Sequence, residues 1–295
     1  MRILITGANG QVGWELRRSM LPVGQVIAPD RTCLDLSDIS SICGCVDACR
    51  PDIIVNAAAY TAVDRAETEQ DLATRVNAEA VGALAEAAKR HAALILHYST
   101  DYVFDGAKSS PYLESDRPAP VSAYGRSKLE GERALAAVGC DYLCLRTSWV
   151  YASRGKNFLL TMLKLGAERE ELRVVNDQHG SPTWARFIAD ASSQIATQAI
   201  AERANGEFRS EILHLASSGG TTWHGFAQEI LRRRRESAAD VRVRSLTAIS
   251  TAEYPTPARR PRNSRLACDR VMQRYSIVVP AWETCVELCL AELAQ

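Results

Sequence analysis

A doubly wound parallel α/β sheet followed by a smaller C-terminal lobe is the fold this sequence predicts. Three observations predict it. Short strands that are apolar throughout alternate with helices across the first half, the pattern of a parallel sheet covered on both faces. A glycine-rich turn, Gly7-Ala8-Asn9-Gly10-Gln11-Val12-Gly13, directly follows the first strand and opens the first helix. The 295 residues exceed one small domain, so one large or two unequal lobes are expected.

The elements follow in order. Arg2–Thr6 is an apolar strand, and residues 11–20 form an amphipathic helix. Residues 25–28 make a second strand ending at Pro29-Asp30, and 37–49 a helix that stops before Pro51. A short strand at 52–56 precedes a long alanine-rich helix over 70–90. Strand 94–98, helix 122–137 and strand 142–146 complete the regular half. Beyond it the pattern loosens. Helices are expected at 157–167, from Pro182 through 200, at 223–234 and from about 280. Strands are expected at 172–176 and 212–215, and residues 254–262 form a Pro- and Arg-rich stretch. Residues 1–150 are expected to form the first lobe, with segments near 182–216 returning to it, and residues 151–295 mainly the second.

Composition excludes several function classes. Thirty-five Lys plus Arg balance 35 Asp plus Glu, which argues against binding nucleic acid through phosphate contacts. No apolar run approaches the ~20 residues of a membrane span. With no secretory cleavage pattern near Met1, a cytoplasmic protein is the expectation. Nine cysteines, an odd number without a CxxC pair, read as free thiols, the Cys43/Cys45/Cys49 cluster included. Arg232–Arg235 end a helix whose C-terminus they complement.

The glycine turn is a dinucleotide cradle by position. Gly7 permits a tight turn, Gly10, Gln11 and Val12 bring backbone N–H groups toward a pyrophosphate, and Gly13 lets helix and strand approach. This makes the sheet Rossmann-type, with its ligand at the carboxyl ends of the strands. Asp30, at the end of the second strand, is placed to accept adenosine ribose hydroxyls, while Arg31 beside it suits a 2′-phosphate. The signals oppose each other, and NADH and NADPH both stay open. Asp35 and Leu36 fall where an adenine-contacting loop is expected, although Asp35 near a helix start also suits a cap. Ala57, Ala58 and Ala59 follow Asn56 at the sheet's carboxyl edge, where small side chains admit a cofactor or, equally, tight helix–sheet packing.

Tyr124 and Lys128 stand at i and i+4, on one face of a helix. Ser99-Thr100-Asp101 follows a buried strand. A phenol near pKa 10 is a poor acid–base catalyst at neutral pH, and a neighbouring ammonium favours its ionised form. These motifs resemble the short-chain dehydrogenase/reductases. Further segments resemble one branch of them, the dTDP-4-dehydrorhamnose reductase family: GQVGWEL (10–16), NAAAYTAVDRAE (56–67), YSTDYVFDG (98–106), YGRSKLEGE (124–132), RTSWVY (146–151), NDQHGSPT (176–183), TTWHGFA (221–227) and RRPRNSRL (259–266). The resemblance is collinear and runs nearly end to end.

That resemblance implies an N-terminal NAD(P)-binding lobe and a C-terminal sugar-nucleotide lobe. It implies NAD(P)H-dependent reduction of the C4 ketone of dTDP-4-dehydro-L-rhamnose, the last step of dTDP-rhamnose synthesis, which feeds cell-surface polysaccharide such as O antigen. Tyr124 gives a proton to the C4 oxygen, Lys128 holds the nicotinamide ribose and tunes Tyr124, and Thr100 hydrogen-bonds the reacting oxygen. Thr61 joins the cofactor set, Asp101, Tyr102 and Trp149 contact the sugar, and Arg260, among Arg259, Arg260 and Arg262, is the candidate for the diphosphate. His179 and His224 read as structural or substrate contacts rather than metal ligands. Some members are bridged into dimers by Mg²⁺ through glutamates. Glu15 and Glu292 match two of those positions, but the third is Arg186, and a guanidinium cannot ligate Mg²⁺. A monomer or weak homodimer is expected. Two other readings compete: an epimerase or dehydratase on the same scaffold, and a non-catalytic regulatory homologue. A single Asp101, not a carboxylate pair, disfavours the first, and the intact Thr100, Tyr124 and Lys128 disfavour the second.

Overall fold

Ile3, Leu4 and Ile5 are completely buried, because the first strand lies inside a sheet with helices on both faces. The computed structural model describes residues 1–237 and 240–293. The first half runs β1 (Arg2–Thr6), α1 (Gln11–Ser19), β2 (Gln25–Ile27), α2 (Ile39–Cys49), β3 (Ile53–Asn56), α3 (Gln70–Thr74), α4 (Ala80–Arg90), β4 (Leu94–Thr100), α5 (Ala123–Val138) and β5 (Tyr142–Thr147). Then follow β6 (Val150–Tyr151), α6 (Phe158–Glu168), β7 (Glu171–Val175), β8 (His179–Gly180), β9 (Thr183–Trp184), α7 (Ala185–Ala204), β10 (Glu211–His214), β11 (Thr221–Thr222), α8 (Trp223–Ser237), β12 (Ser245–Ile249), α9 (Asp269–Tyr275) and α10 (Trp282–Leu293).

Six strands form the central sheet in the order β10-β5-β4-β3-β1-β2, all parallel. The chain reverses direction of travel between β1 and β3, so a crevice opens there at the carboxyl ends. Residues of α1, α7 and α9 (Leu16, Ile188, Tyr275) bury one face of the sheet, and those of α2 and α4 (Ile42, Leu84) the other. A separate core around Phe226, Trp282 and Val286 holds the second lobe together.

Most helix limits have visible causes. Asp38 accepts a hydrogen bond from Ser40 N, so α2 begins at Ile39 rather than at residue 37. Ser122 caps α5 through Gly125 N, and Gly139, at φ +73°, ends it. Three expectations are corrected. Stretch 70–90 is interrupted by a π-helical turn, Arg75–Glu79, whose Asn77 bonds both Tyr60 backbone groups and Ser127 Oγ. The helix expected from Pro182 starts at Ala185, because Thr183 and Trp184 pair with β6 first. Strand β12 and helix α9 had no expected counterpart. The strand is mostly exposed, and α9 is a seven-residue helix that buries only Val271 and Tyr275 and pairs Arg270 and Arg274 with Glu211 and Glu202.

Candidate active site

The glycine turn is sterically obligatory at two positions. Gly7 has φ +67°, and a Cβ there would lie 2.6 Å from Ala58 N. A Cβ on Gly13 would lie 2.1 Å from the Gly7 carbonyl oxygen, so only glycine lets α1 approach the turn. No side chain caps the start of α1, which leaves its first N–H groups for a ligand. Beside them lies a cavity of about 410 Å³ lined by Gly7, Gly10, Asp30, Asp35, Leu36, Ala58 and Ala59 among others. A cradle that a side chain would fill, uncapped amides and a carboxylate at the far end together fit a dinucleotide.

Not every expected cofactor residue faces that cavity. Val12 and Ala57 pack against the core, Gly13 serves the helix approach, and Thr61 is exposed outside the cavity. Gln11 Oε1 accepts from Asn157 Nδ2 at 2.9 Å and so ties the loop to the second lobe. Tyr60 and Arg65, within the NAAAYTAVDRAE segment but not singled out there, line the cavity with Glu69, which lies outside every quoted motif; the Tyr60 hydroxyl and Arg65 both donate to Glu69. Asp30 Oδ1 accepts from Thr32 N, Thr32 Oγ1 and Cys33 N, which holds its carboxyl below the usual range. Arg31 Nε lies 3.3 Å from Asp35 Oδ2. Beneath this loop the Cys45 thiol is pushed up to about 12 by burial and by Cys49 and Cys33, and it stays protonated.

The candidate catalytic residues meet at the carboxyl end of β4. Thr100 Oγ1 accepts from Tyr102 N and donates to Asp101 Oδ1 at 3.0 Å. Tyr124, in the first turn of α5, meets the Tyr102 ring edge-on at 5.9 Å, with its phenol beside Thr100. Burial pushes the Tyr124 phenol up to about 12. Burial is the first cause of that shift, and the Lys128 ammonium donates to the Tyr98 carbonyl at 2.7 Å. Burial also brings Lys128 down to about 8. A protonated phenol at neutral pH is the form that donates a proton.

Asp101 is completely enclosed. Ser148 Oγ donates to its Oδ2 at 3.0 Å, and Ser264 lies close enough to lower its pKa. Neither serine carried a signal of its own in the sequence. Burial raises the Asp101 carboxyl to about 6 despite these bonds. A folded-state value above the unfolded one means stability that is fully present below about pH 4 and lost as pH rises through 6. Asp101→Asn keeps the acceptor and removes the buried charge. It is expected to be more stable than the parent by about 1–3 kcal/mol at neutral pH, the gap closing near pH 4, in thermal melts across pH.

The second lobe supplies the other wall. Trp149 stacks on Trp223 at 3.5 Å, and a Cβ on Gly180 would strike its indole. Arg260 Nη2 donates to Asp64 Oδ2 at 3.0 Å, and its charge reaches the Tyr102 phenol. Its buried Nε has no partner in the protein, whereas Arg259 and Arg262 are exposed. His224 Nε2 bonds the Leu246 carbonyl, and the His179 side chain is exposed.

Glu15 and Glu292 do come together, but around Arg186. Its Nε donates to Glu15 Oε2 at 3.1 Å and its Nη1 pairs with Glu292. The guanidinium supplies the positive charge a cation would bring, and no group of three metal ligands occurs among the described residues. Millimolar Mg²⁺ is expected to leave the sedimentation coefficient unchanged relative to EDTA; a metal-dependent rise in mass would contradict this.

Comparison with known proteins agrees with this geometry. A family model described as the RmlD substrate binding domain matches residues 1–295. A dTDP-4-dehydrorhamnose reductase of Burkholderia thailandensis is 52% identical over 295 residues, covering 99% of both chains. Among solved structures, one of a dTDP-4-dehydrorhamnose reductase from Clostridium acetobutylicum superposes with a TM-score of 0.90 at 35% identity, covering all of both chains. Another, from Bacillus anthracis in complex with NADP, gives 0.87 at 34% identity, covering 99% of both. With a full-length family match, relatives of this identity and a site assembled from the same motifs, the chain belongs to the dTDP-4-dehydrorhamnose reductase family of oxidoreductases.

Proposed function

We propose that this chain reduces the C4 ketone of dTDP-4-dehydro-L-rhamnose to the alcohol of dTDP-L-rhamnose, using NADH or NADPH. The observation that carries the reading is the half-buried Tyr124 phenol beside Thr100 at the end of β4, with the buried Lys128 one helical turn away. When bound, the reduced nicotinamide supplies the hydride that the ketone carbon accepts. Tyr124 gives its phenolic proton to the C4 oxygen, so that carbonyl, hydride and proton balance as an alcohol. Thr100 holds that oxygen, and its hydroxyl is released toward the substrate when Asp101 is protonated or turns to Ser148. Lys128 reaches the nicotinamide ribose. The uncapped start of α1 and Gly10 hold the pyrophosphate, and Asp30 the adenosine ribose. Arg260 takes the sugar-nucleotide diphosphate, with Tyr102, Asp101 and Trp149 around the sugar.

Cofactor choice follows from Asp30 and Arg31. The ionised Asp30 suits a ribose diol, and Arg31 is exposed enough to turn from Asp35 to a 2′-phosphate. Both cofactors are expected to work within about tenfold in kcat/KM, a difference of ~1.4 kcal/mol. The test supplies the 4-keto-L-sugar nucleotide with NADH or NADPH and follows the loss of reduced-nicotinamide absorbance. A preference beyond about a thousandfold would mean that one of the two side chains points away. No turnover with either cofactor by a folded, cofactor-binding protein would overturn the reductase reading itself.

A further inference from the structure

We propose that His97 is a positioning residue for Lys128: a buried side-chain chain, Thr6–Asn56–His97–Lys128, fixes the lysine so that its one unassigned N–H is left for a ligand hydroxyl. The chain crosses the sheet just below its carboxyl edge. Thr6 on β1 pairs in register with Asn56 on β3, and Asn56 with His97 on β4, so the three side chains stand on one face. Thr6 Oγ1 and Asn56 Oδ1 are 2.6 Å apart, Asn56 Nδ2 and His97 Nδ1 3.0 Å, and His97 Nε2 and Lys128 Nζ 3.4 Å. All four residues are buried. An ammonium has three N–H donors. The Tyr98 carbonyl takes one and His97 Nε2 another.

The chemistry of imidazole gives this chain a direction. Burial and the Lys128 charge hold His97 well below its ordinary pKa, so the ring is neutral, with one donor and one acceptor nitrogen. With Lys128 as an ammonium, Nε2 must accept. Nδ1–H then donates to Asn56 Oδ1 and Asn56 Nδ2 to Thr6 Oγ1, which turns the Asn56 amide over from the orientation in which Oδ1 faces Thr6 and Nδ2 faces His97. With Lys128 as an amine the whole chain reverses: Thr6 donates to Asn56, Asn56 to Nδ1, and Nε2–H to the amine. Thr6 Oγ1 accepts from Ala58 N in both arrangements, so the far end abuts the Gly7–Ala58 approach that lines the cofactor cavity. The other titratable groups facing Lys128 cannot rearrange this way. Glu132, on its own helix, is locked to Arg146 and Ser99, and Cys144 on β5 is held as a thiol by burial.

This proposal rests on the reading that Lys128 binds the nicotinamide ribose, and its test separates the two. His97→Asn keeps a group near Nδ1 for Asn56 and withdraws the partner of Lys128; His97→Gln keeps a group near Nε2. In folded variants with similar melting temperatures, His97→Asn is expected to raise the NADPH dissociation constant about tenfold and His97→Gln by less than about threefold. Equal losses in both, or no loss in either, would overturn the proposal, because a residue that merely fills the core does not distinguish them. On the unaltered protein, imidazole nitrogen NMR between about pH 6 and about pH 10 should show a neutral His97 that passes from the Nδ1–H to the Nε2–H form as Lys128 loses its proton. An unchanged tautomer would also overturn the proposal. If Lys128→Met leaves NADPH affinity intact, the Lys128 reading fails and the proposal with it; if Lys128→Met weakens binding and His97→Asn does not, only the proposal fails.

Discussion

Tyr124→Phe is expected to lower kcat by 10²–10⁴-fold, the usual worth of a positioned proton donor, while NAD(P)H still binds. The ring is half-buried and edge-on to Tyr102, with its hydroxyl beside Thr100. Losing that hydroxyl leaves a phenyl ring of nearly the same shape, so the helix start and the turn after β4 persist. Thr100 keeps its bonds to Asp101 and Tyr102 N. With the phenol near 12 in the cofactor-free protein, Tyr124 is fully protonated at neutral pH, which suits donation in the reductive direction. Lys128→Met behaves differently: cofactor affinity and turnover fall together. Measuring kcat beside the NAD(P)H dissociation constant for each variant separates the two roles. Near-full turnover in Tyr124→Phe would leave Tyr124 and Lys128 as an ordinary helix pair.

The second large effect is on stability. Arg146 and Glu132 form a two-pronged ion pair, Nε to Oε1 at 2.8 Å and Nη2 to Oε2 at 2.6 Å, with both side chains buried. Ser99 Oγ adds a third bond to the carboxylate. Arg146→Met removes one charge and strands the other, and breaking such a pair from one side costs about 3–5 kcal/mol. For a chain of this length that corresponds to a fall in melting temperature of about 5–8 °C. Removing both charges, with Glu132→Gln on the same background, is expected to restore about half or more of the loss, because no uncompensated charge then remains. A single variant that melts with the parent would show that water already screens the pair.

Much of the site is readable in one dimension because it is built from local repeats. Tyr124 and Lys128 share a helix face by their spacing alone, and Gly7, Gly10 and Gly13 declare a turn in which only a hydrogen fits. The apolar runs of β1, β3 and β4 announce a sheet covered on both sides, since a strand exposed on one face alternates instead. Motifs of the branch, such as the segment around Arg260, add which chemistry to look for.

What the tertiary structure decided involves partners far apart along the chain. Asp101 meets Ser148 and Ser264, Arg186 meets Glu15 and Glu292, and Arg260 rather than Arg259 or Arg262 turns inward with a free Nε. The bonding of Lys128 to Tyr98 and His97, and the dominance of burial over charge at Tyr124, depend on how deeply α5 packs over β4. Hydrophobic periodicity specifies which face of an element is covered. It does not specify the rotation or depth at which two elements meet, and hydrogen bonds and pKa values change over a few ångströms of that depth. The sequence by itself therefore determined the fold, the glycine turn and the candidates for the reacting residues, whereas only packing decided which charges face one another.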